Sequence, residues 1–121
     1  MPQFKADLHI HSRFSRATSK KLNLPLLAAW ARVKGIDVLA TGDITHPVWR
    51  DEIRENLVFD ETTALYCLKN NVKLAQALPQ FAERLNPPYP SFILQGEISS
   101  IYKRAGKVRK VHNLVFFPHL D

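Results

Sequence analysis

The first half of the chain alternates strand-like and helix-like segments, each with its own start and stop signals. That order limits the fold more than any other feature. Residues 4–10 read as a strand, with Phe4, Ala6, Leu8 and Ile10 on one face and Asp7, His9 and His11 on the other. A polar loop from His11 to Lys21 follows. Asn23 is placed to cap a helix that carries Pro25 in its first turn, an apolar stripe at Leu24, Leu27, Ala28 and Ala31, and Gly35 as its stop. Residues 37–41 read as the second strand, with Gly42-Asp43-Ile44-Thr45-His46 at its carboxyl end. Pro47 opens a second helix that runs to about Leu57. Strand–helix–strand–helix order predicts an α/β layer with parallel strands.

The second half is less regular. Residues 58–70 fit either a short strand or an irregular loop. Residues 71–86 have helical periodicity interrupted by Pro79, and Asn86-Pro87-Pro88-Tyr89-Pro90 is a connector. Residues 92–95 read as a third strand ending in Gly96-Glu97. Residues 98–104 and 107–117 read as a hairpin around Ala105-Gly106.

At 121 residues with 45% hydrophobic content, the chain suits one domain with a real core. No apolar run approaches the roughly 20 residues that span a bilayer, and the amino terminus does not resemble a signal peptide. Cys67 is the sole cysteine. It reads as a small apolar residue, and a thiolate-rich zinc site is excluded. These features suggest a cytoplasmic protein. The net charge is +6, and cations cluster at Arg13, Arg16, Lys20 and Lys21 and again at Lys103, Arg104, Lys107, Arg109 and Lys110. Such clusters attract polyanions, nucleic acid first among them.

Both basic clusters flank candidate metal ligands. His9-x-His11, Asp43-x-x-His46, Gly96-Glu97 and Val111-His112 all fall near strand ends, where α/β barrels gather their reactive groups. Neutral imidazole and carboxylate suit zinc, manganese or iron. A carboxylate such as Glu97 can also bridge two cations, and paired cations about 3.5–4 Å apart commonly serve phosphoester hydrolysis. Each motif has a plainer explanation when taken alone. His-x-His arises by chance, Asp43 and His46 fit a turn and a helix cap, Glu97 fits a solvated turn, and His112 fits an edge strand.

Taken in order, the motifs resemble the PHP (polymerase and histidinol phosphatase) family of metal-dependent phosphoesterases. Asp7-Leu8-His9-Ile10-His11-Ser12 resembles its first motif. Thr41-Gly42-Asp43-Ile44-Thr45-His46 resembles the second with residues inserted, Gly96-Glu97 the third, and Val111-His112-Asn113-Leu114 the histidine motif after it. A narrower similarity is to the endonuclease Q branch, some of whose relatives carry helicase-like names. It is carried by residues 9–21, by Thr41-Gly42-Asp43 with Thr45-His46-Pro47, and by residues 97–103 and 106–112.

The resemblance implies a distorted β/α barrel, here a single PHP-like domain over residues 1–121 that is partial relative to the full barrel and ends in a β-hairpin. It implies between one and three divalent cations. His9, His11 and Glu97 would hold the first ion, and Glu97 and His112 the second. His46 would serve a third, with Asp43 as ligand or orienter. Glu97 and Asp43 are the candidates for catalytic roles. The implied activity is DNA repair, by nicking on the 5′ side of deaminated bases or at abasic sites. Arg13, Arg16, Lys20, Lys21, Lys103, Lys107, Arg109 and Lys110 would hold backbone phosphates, with Arg16 and Lys107 the first to test. The family's last aspartate and histidine have no counterpart, since His119-Leu120-Asp121 follows His112 too closely. Weak or absent catalysis is therefore one expectation. Exposed strand edges suggest a homodimer. Two alternatives stand beside the nuclease: a small-molecule phosphatase of the histidinol phosphatase type, and a nucleic-acid-binding segment with a degenerate metal site.

Overall fold

The computed structural model describes residues 2–16 and 18–121. Its elements follow in the order β1 (Ala6–Asp7), α1 (Leu24–Lys34), β2 (Val38–Ala40), α2 (Pro47–Asn56), β3 (Leu57–Asp60), β4 (Leu65–Leu68), α3 (Leu74–Ala77), a 3₁₀ segment (Pro79–Arg84), β5 (Ser91–Arg104) and β6 (Lys107–Phe117). The result is a mixed α/β fold around one open, six-stranded sheet.

β1, β2 and β5 lie side by side and parallel, as the early strand–helix alternation requires. β4 and then β3 extend the sheet in the antiparallel sense. β6 returns antiparallel along β5, with an unbroken register from Leu94↔Phe117 to Arg104↔Lys107.

α1 forms where its signals place it. Asn23 Oδ1 accepts the Leu26 N–H at 2.9 Å, and Gly35 closes the helix at φ 75°. Leu24, Leu27, Ala28 and Ala31 are buried. A cap of this kind contributes about 1 kcal/mol; most of the helix's stability comes from its apolar stripe. The core joins that stripe to Trp49 and Ile53 of α2 and to Leu39, Phe92 and Leu94 of the sheet. The alternate strand residues Ala6, Val38, Leu65 and Ile93 line an apolar groove of about 570 Å³ on the other face.

Four expectations change. The first strand pairs over two residues only, not over 4–10. Asp7 Oδ1 accepts the His9 N–H at 3.3 Å, a local turn that competes with the sheet ladder. Alternation stops there: Leu8 faces the open groove, while Ile10 lies with Asp7 on the α1 side. Residues 58–70 hold a full hairpin, whose turn is organised by the Asp60 side chain accepting the Thr62 N–H at 2.9 Å. The helical pattern of 71–86 yields one short turn and a 3₁₀ segment. Pro79 forces Leu78 out of the helical region, to φ −141° and ψ 68°. Finally, the third strand does not end at Gly96-Glu97 but runs through them for 14 residues.

Candidate metal centre

Three chain segments meet at one end of the parallel strands. The loop after β2 turns through two consecutive left-handed residues, Gly42 at φ 65° and Asp43 at φ 47°. Gly42 is required there: a Cβ would sit 2.5 Å from the carbonyl oxygen of Ile10. The buried Trp49 indole donates to the carbonyls of Gly42 at 2.9 Å and Thr41 at 3.2 Å. Thr41 Oγ1 accepts the Gln95 N–H at 3.1 Å. Gly96 lets β5 pass this loop closely, since a Cβ would meet Ile44 Cγ2 at 3.0 Å. The loop after β1 is thereby pressed onto the loop after β2, and Glu97 is delivered beside both.

Glu97 is the hub. Its Oε2 lies 3.4 Å from His9 Nε2 and 3.2 Å from His11 Nε2, and its Oε1 lies 2.7 Å from His112 Nδ1. The ligand atoms of His9, His11 and Glu97 all fall within 4.8 Å of one another. Two ligand atoms, each about 2.0–2.1 Å from one tetrahedral ion, stand about 3.3 Å apart. The two Nε2–Oε2 separations match that spacing, so two imidazoles and a carboxylate fit one zinc-like cation. Desolvation works to raise the Glu97 pKa. The His9 hydrogen bond and the fields of His112, His11 and His9 outweigh it and hold the group below its ordinary value. His9 is 52% exposed and Glu97 18%, so the group opens to solvent on the His9 side.

His112 reaches the hub from the neighbouring strand. Ser99 and His112 face each other in the β5–β6 register, and Glu97 lies two residues along on the same face. Ser99 Oγ is 2.8 Å from His112 Nδ1.

The other expected ligands sit differently. Asp43 lies behind His11. Its Oδ2 accepts the Ser12 N–H at 2.7 Å and the Ser12 hydroxyl at 2.6 Å, and its Oδ1 accepts the Ser15 hydroxyl at 2.8 Å. Burial raises its pKa, but these bonds more than offset that and hold it below the ordinary value. His46 is outside the three-residue group: its ring stacks on Phe14 at 4.1 Å, and its Nδ1 is buried without a hydrogen-bond partner among the described residues. His119 packs against Phe59, and Asp121 pairs with Arg54 at 3.1 Å, so neither joins the group.

Ser12, Ser15, Ser99 and Trp49 were not singled out from the sequence. Serines one and four residues beyond His11 were the available signal, since short hydroxyl side chains beside a loop aspartate form such networks.

The basic residues divide. One terminal nitrogen of Arg13 reaches both Glu52 oxygens, at 2.8 and 3.0 Å, and its guanidinium lies 4.6 Å from the Phe14 ring centroid. Glu52 also accepts the Leu24 N–H at 3.2 Å, so Arg13 ties the loop to α1 and α2. Arg16, Lys20 and Lys21 are exposed, with no ion pair among the described residues. No acidic residue occurs between Glu97 and Asp121. Strand alternation and register put Lys103 and Lys110 on the Glu97 face of the ribbon, and Arg104, Lys107 and Arg109 on the reverse.

No protein-family model matches the chain. An uncharacterised protein of Methanocaldococcus jannaschii is 47% identical over 49 residues, which is 40% of this chain and 6% of that protein. The lesion-specific endonuclease Q of Pyrococcus furiosus is similar in structure, with a TM-score of 0.65 and 26% identity over 97% of this chain and 22% of that one. An endonuclease Q in complex with a 27-mer duplex substrate bearing an abasic lesion at its active site gives a TM-score of 0.56 and 26% identity, over 78% of this chain and 19% of that one. The chain thus spans about a fifth of the solved structures it resembles. No helix among the described residues is long and apolar enough to cross a membrane.

Proposed function

We propose that this chain carries the metal-binding part of a DNA phosphodiesterase of the endonuclease Q type, with a PHP-like site, acting 5′ of deaminated bases or at abasic sites. One observation carries the reading: His9, His11 and His112 converge on the two oxygens of Glu97. The likeness to endonuclease Q supports the substrate class.

His9 Nε2, His11 Nε2 and Glu97 Oε2 would hold one zinc, manganese or iron ion, and Glu97 Oε1 with His112 would offer a second position. When bound, such an ion supplies Lewis-acid polarisation of a phosphoryl oxygen. The protein's own groups do the rest. Ionised Glu97 fixes the spacing between the histidines on its two oxygens. The open His9 side admits a phosphate. Lys103 and Lys110 on one side, and Arg16, Lys20 and Lys21 on the other, bind phosphates flanking the scissile bond. Arg13 is left to the architecture of the loop. The open edge at β1, with Phe4 and Leu8 exposed, supports pairing of two copies; light scattering showing a monodisperse monomer would oppose that part.

The test is incubation with duplexes containing uracil, hypoxanthine or an abasic site, with manganese or zinc, for the wild type and His9→Ala. Nicking 5′ of the lesion that disappears in the variant supports the proposal. Turnover of a phosphomonoester alone would identify a small-molecule phosphatase instead. Tight, salt-sensitive DNA binding without any cleavage would identify a binding segment.

A further inference from the structure

We propose that the β5–β6 ribbon is a duplex-gripping arm: its Glu97 face lies in the major groove beside the scissile phosphate, with Ile101 and Val108 against base edges and Lys103 and Lys110 toward the phosphate rims. The inference rests on the nuclease reading above and adds the form of the nucleic acid and the apolar side chains that meet it.

The ribbon leaves the body of the fold. β2 and β4 pair with β5 only within residues 91–93. Beyond Glu97, β5 has β6 as its sole strand neighbour among the described residues. Every residue from 98 to 114 is exposed. A ribbon open to water on both faces needs only polar side chains, yet Ile101 is 69% exposed and Val108 66%. Strand alternation places both on the face of Glu97 and His112. The register sets Ile101 opposite Lys110 and Val108 opposite Lys103. Apolar and cationic side chains therefore alternate along and across the ribbon near its tip.

That pattern selects the partner. Phosphates alone would call for lysines without aliphatic neighbours. A second copy of the ribbon offers no complement: no acidic residue occurs from 98 to 120, so ribbon against ribbon sets cations against cations. A DNA groove has anionic rims and a floor that includes thymine methyl groups, and a two-stranded ribbon fits the major groove, about 12 Å wide. The metal centre fixes the face. Glu97 and its histidines have to meet a phosphate, so the surface continuous with them meets the same duplex. Lys103 lies six residues beyond Glu97, roughly 20 Å along an extended strand, which is about six base pairs at about 3.4 Å per step. The arm therefore needs about six base pairs of duplex on one side of the scissile phosphate.

Anisotropy titration of a fluorescent duplex bearing one abasic site, with chelator present and at several salt concentrations, reads the arm without cleavage. An apolar contact shifts affinity equally at all salt concentrations, whereas a phosphate contact changes the slope. Ile101→Ser with Val108→Ser should weaken binding about tenfold or more at every salt concentration, with the slope unchanged. Tyr102→Ser with Val111→Ser, on the reverse face, should stay within about twofold of the wild type. Trimming the duplex to about three base pairs beyond the lesion, on each side in turn, should for one side bring wild-type affinity down to that of the Ile101/Val108 serine pair. Ile101→Thr with Val108→Thr keeps β-branching and replaces that pair if circular dichroism shows a disturbed ribbon. Equal losses from the two faces, a changed slope in the Ile101/Val108 variant, or no dependence on duplex length on either side would overturn the inference. So would a wild-type dimer that the Ile101/Val108 variant dissociates, since the face would then cover a second copy. Duplex binding with the expected dependences but no nicking with metal would remove the nuclease reading and leave the arm standing. Nicking by the wild type, with the Ile101/Val108 variant binding as tightly, would remove the arm alone.

Discussion

Glu97 and His9, 88 residues apart in sequence, bring Oε2 and Nε2 to 3.4 Å of each other. The contact depends on backbone more than on side-chain reach. Gly42 lets two loops pass at a separation that a Cβ would block, and Gly96 lets β5 pass where a Cβ would press on the Ile44 side chain.

Gly42→Ala should therefore damage both stability and the centre. A left-handed alanine costs about 1–2 kcal/mol, and overpacking against the Ile10 carbonyl adds about 1–3 kcal/mol. Gly35→Ala and Gly106→Ala, also at positive φ but with nothing within 4 Å of the new Cβ, should pay only the conformational part. Thermal denaturation of the three variants checks this; equal losses would show that the loop contact at Gly42 does not matter.

Arg13 and Arg16 separate structure from binding. Arg13→Ala leaves Glu52 without its partner in a poorly exposed setting and should cost about 1–3 kcal/mol of stability. Arg16→Ala should change stability by less than about 0.5 kcal/mol. It should weaken DNA binding and reduce the salt slope by about one. Denaturation alongside DNA titration at several salt concentrations tests both. A stable Arg13→Ala protein with a reduced salt slope would reverse the assignment.

The ribbon's two faces give a third contrast. Lys103→Glu with Lys110→Glu changes the face shared with Glu97 and His112, and should lower the single-turnover nicking rate more than tenfold. Lys107→Glu with Arg109→Glu changes the reverse face. It should weaken binding while leaving the nicking rate at saturating DNA within about twofold. Equal effects on the nicking rate would mean that the ribbon turns differently on DNA.

Much of this was legible in the sequence because local signals agreed with the final fold. Asn23, Pro25 and Gly35 mark α1, and Ala105-Gly106 marks the β5–β6 turn. An extended strand over residues 4–10 sets His9 and His11 on one face, yet Asp7 ends that strand early. The two side chains converge through a turn instead of through alternation. The β3–β4 hairpin was hidden because its turn relies on an Asp60 side chain rather than an Asn-Gly pair. His46 lies outside the three-residue group, with its ring stacked on Phe14, a packing contact that residue type and spacing do not reveal. Arg13 had the right charge, but its Glu52 partner lies on a helix that no local pattern links to the loop.

The most direct measurement is anomalous scattering at the zinc or manganese edge from crystals grown with the metal. The account places a peak about 2.0–2.2 Å from His9 Nε2, His11 Nε2 and Glu97 Oε2, lost in Glu97→Gln. A metal-loaded crystal with no peak among these three side chains, or a peak that persists unchanged in Glu97→Gln, would contradict it.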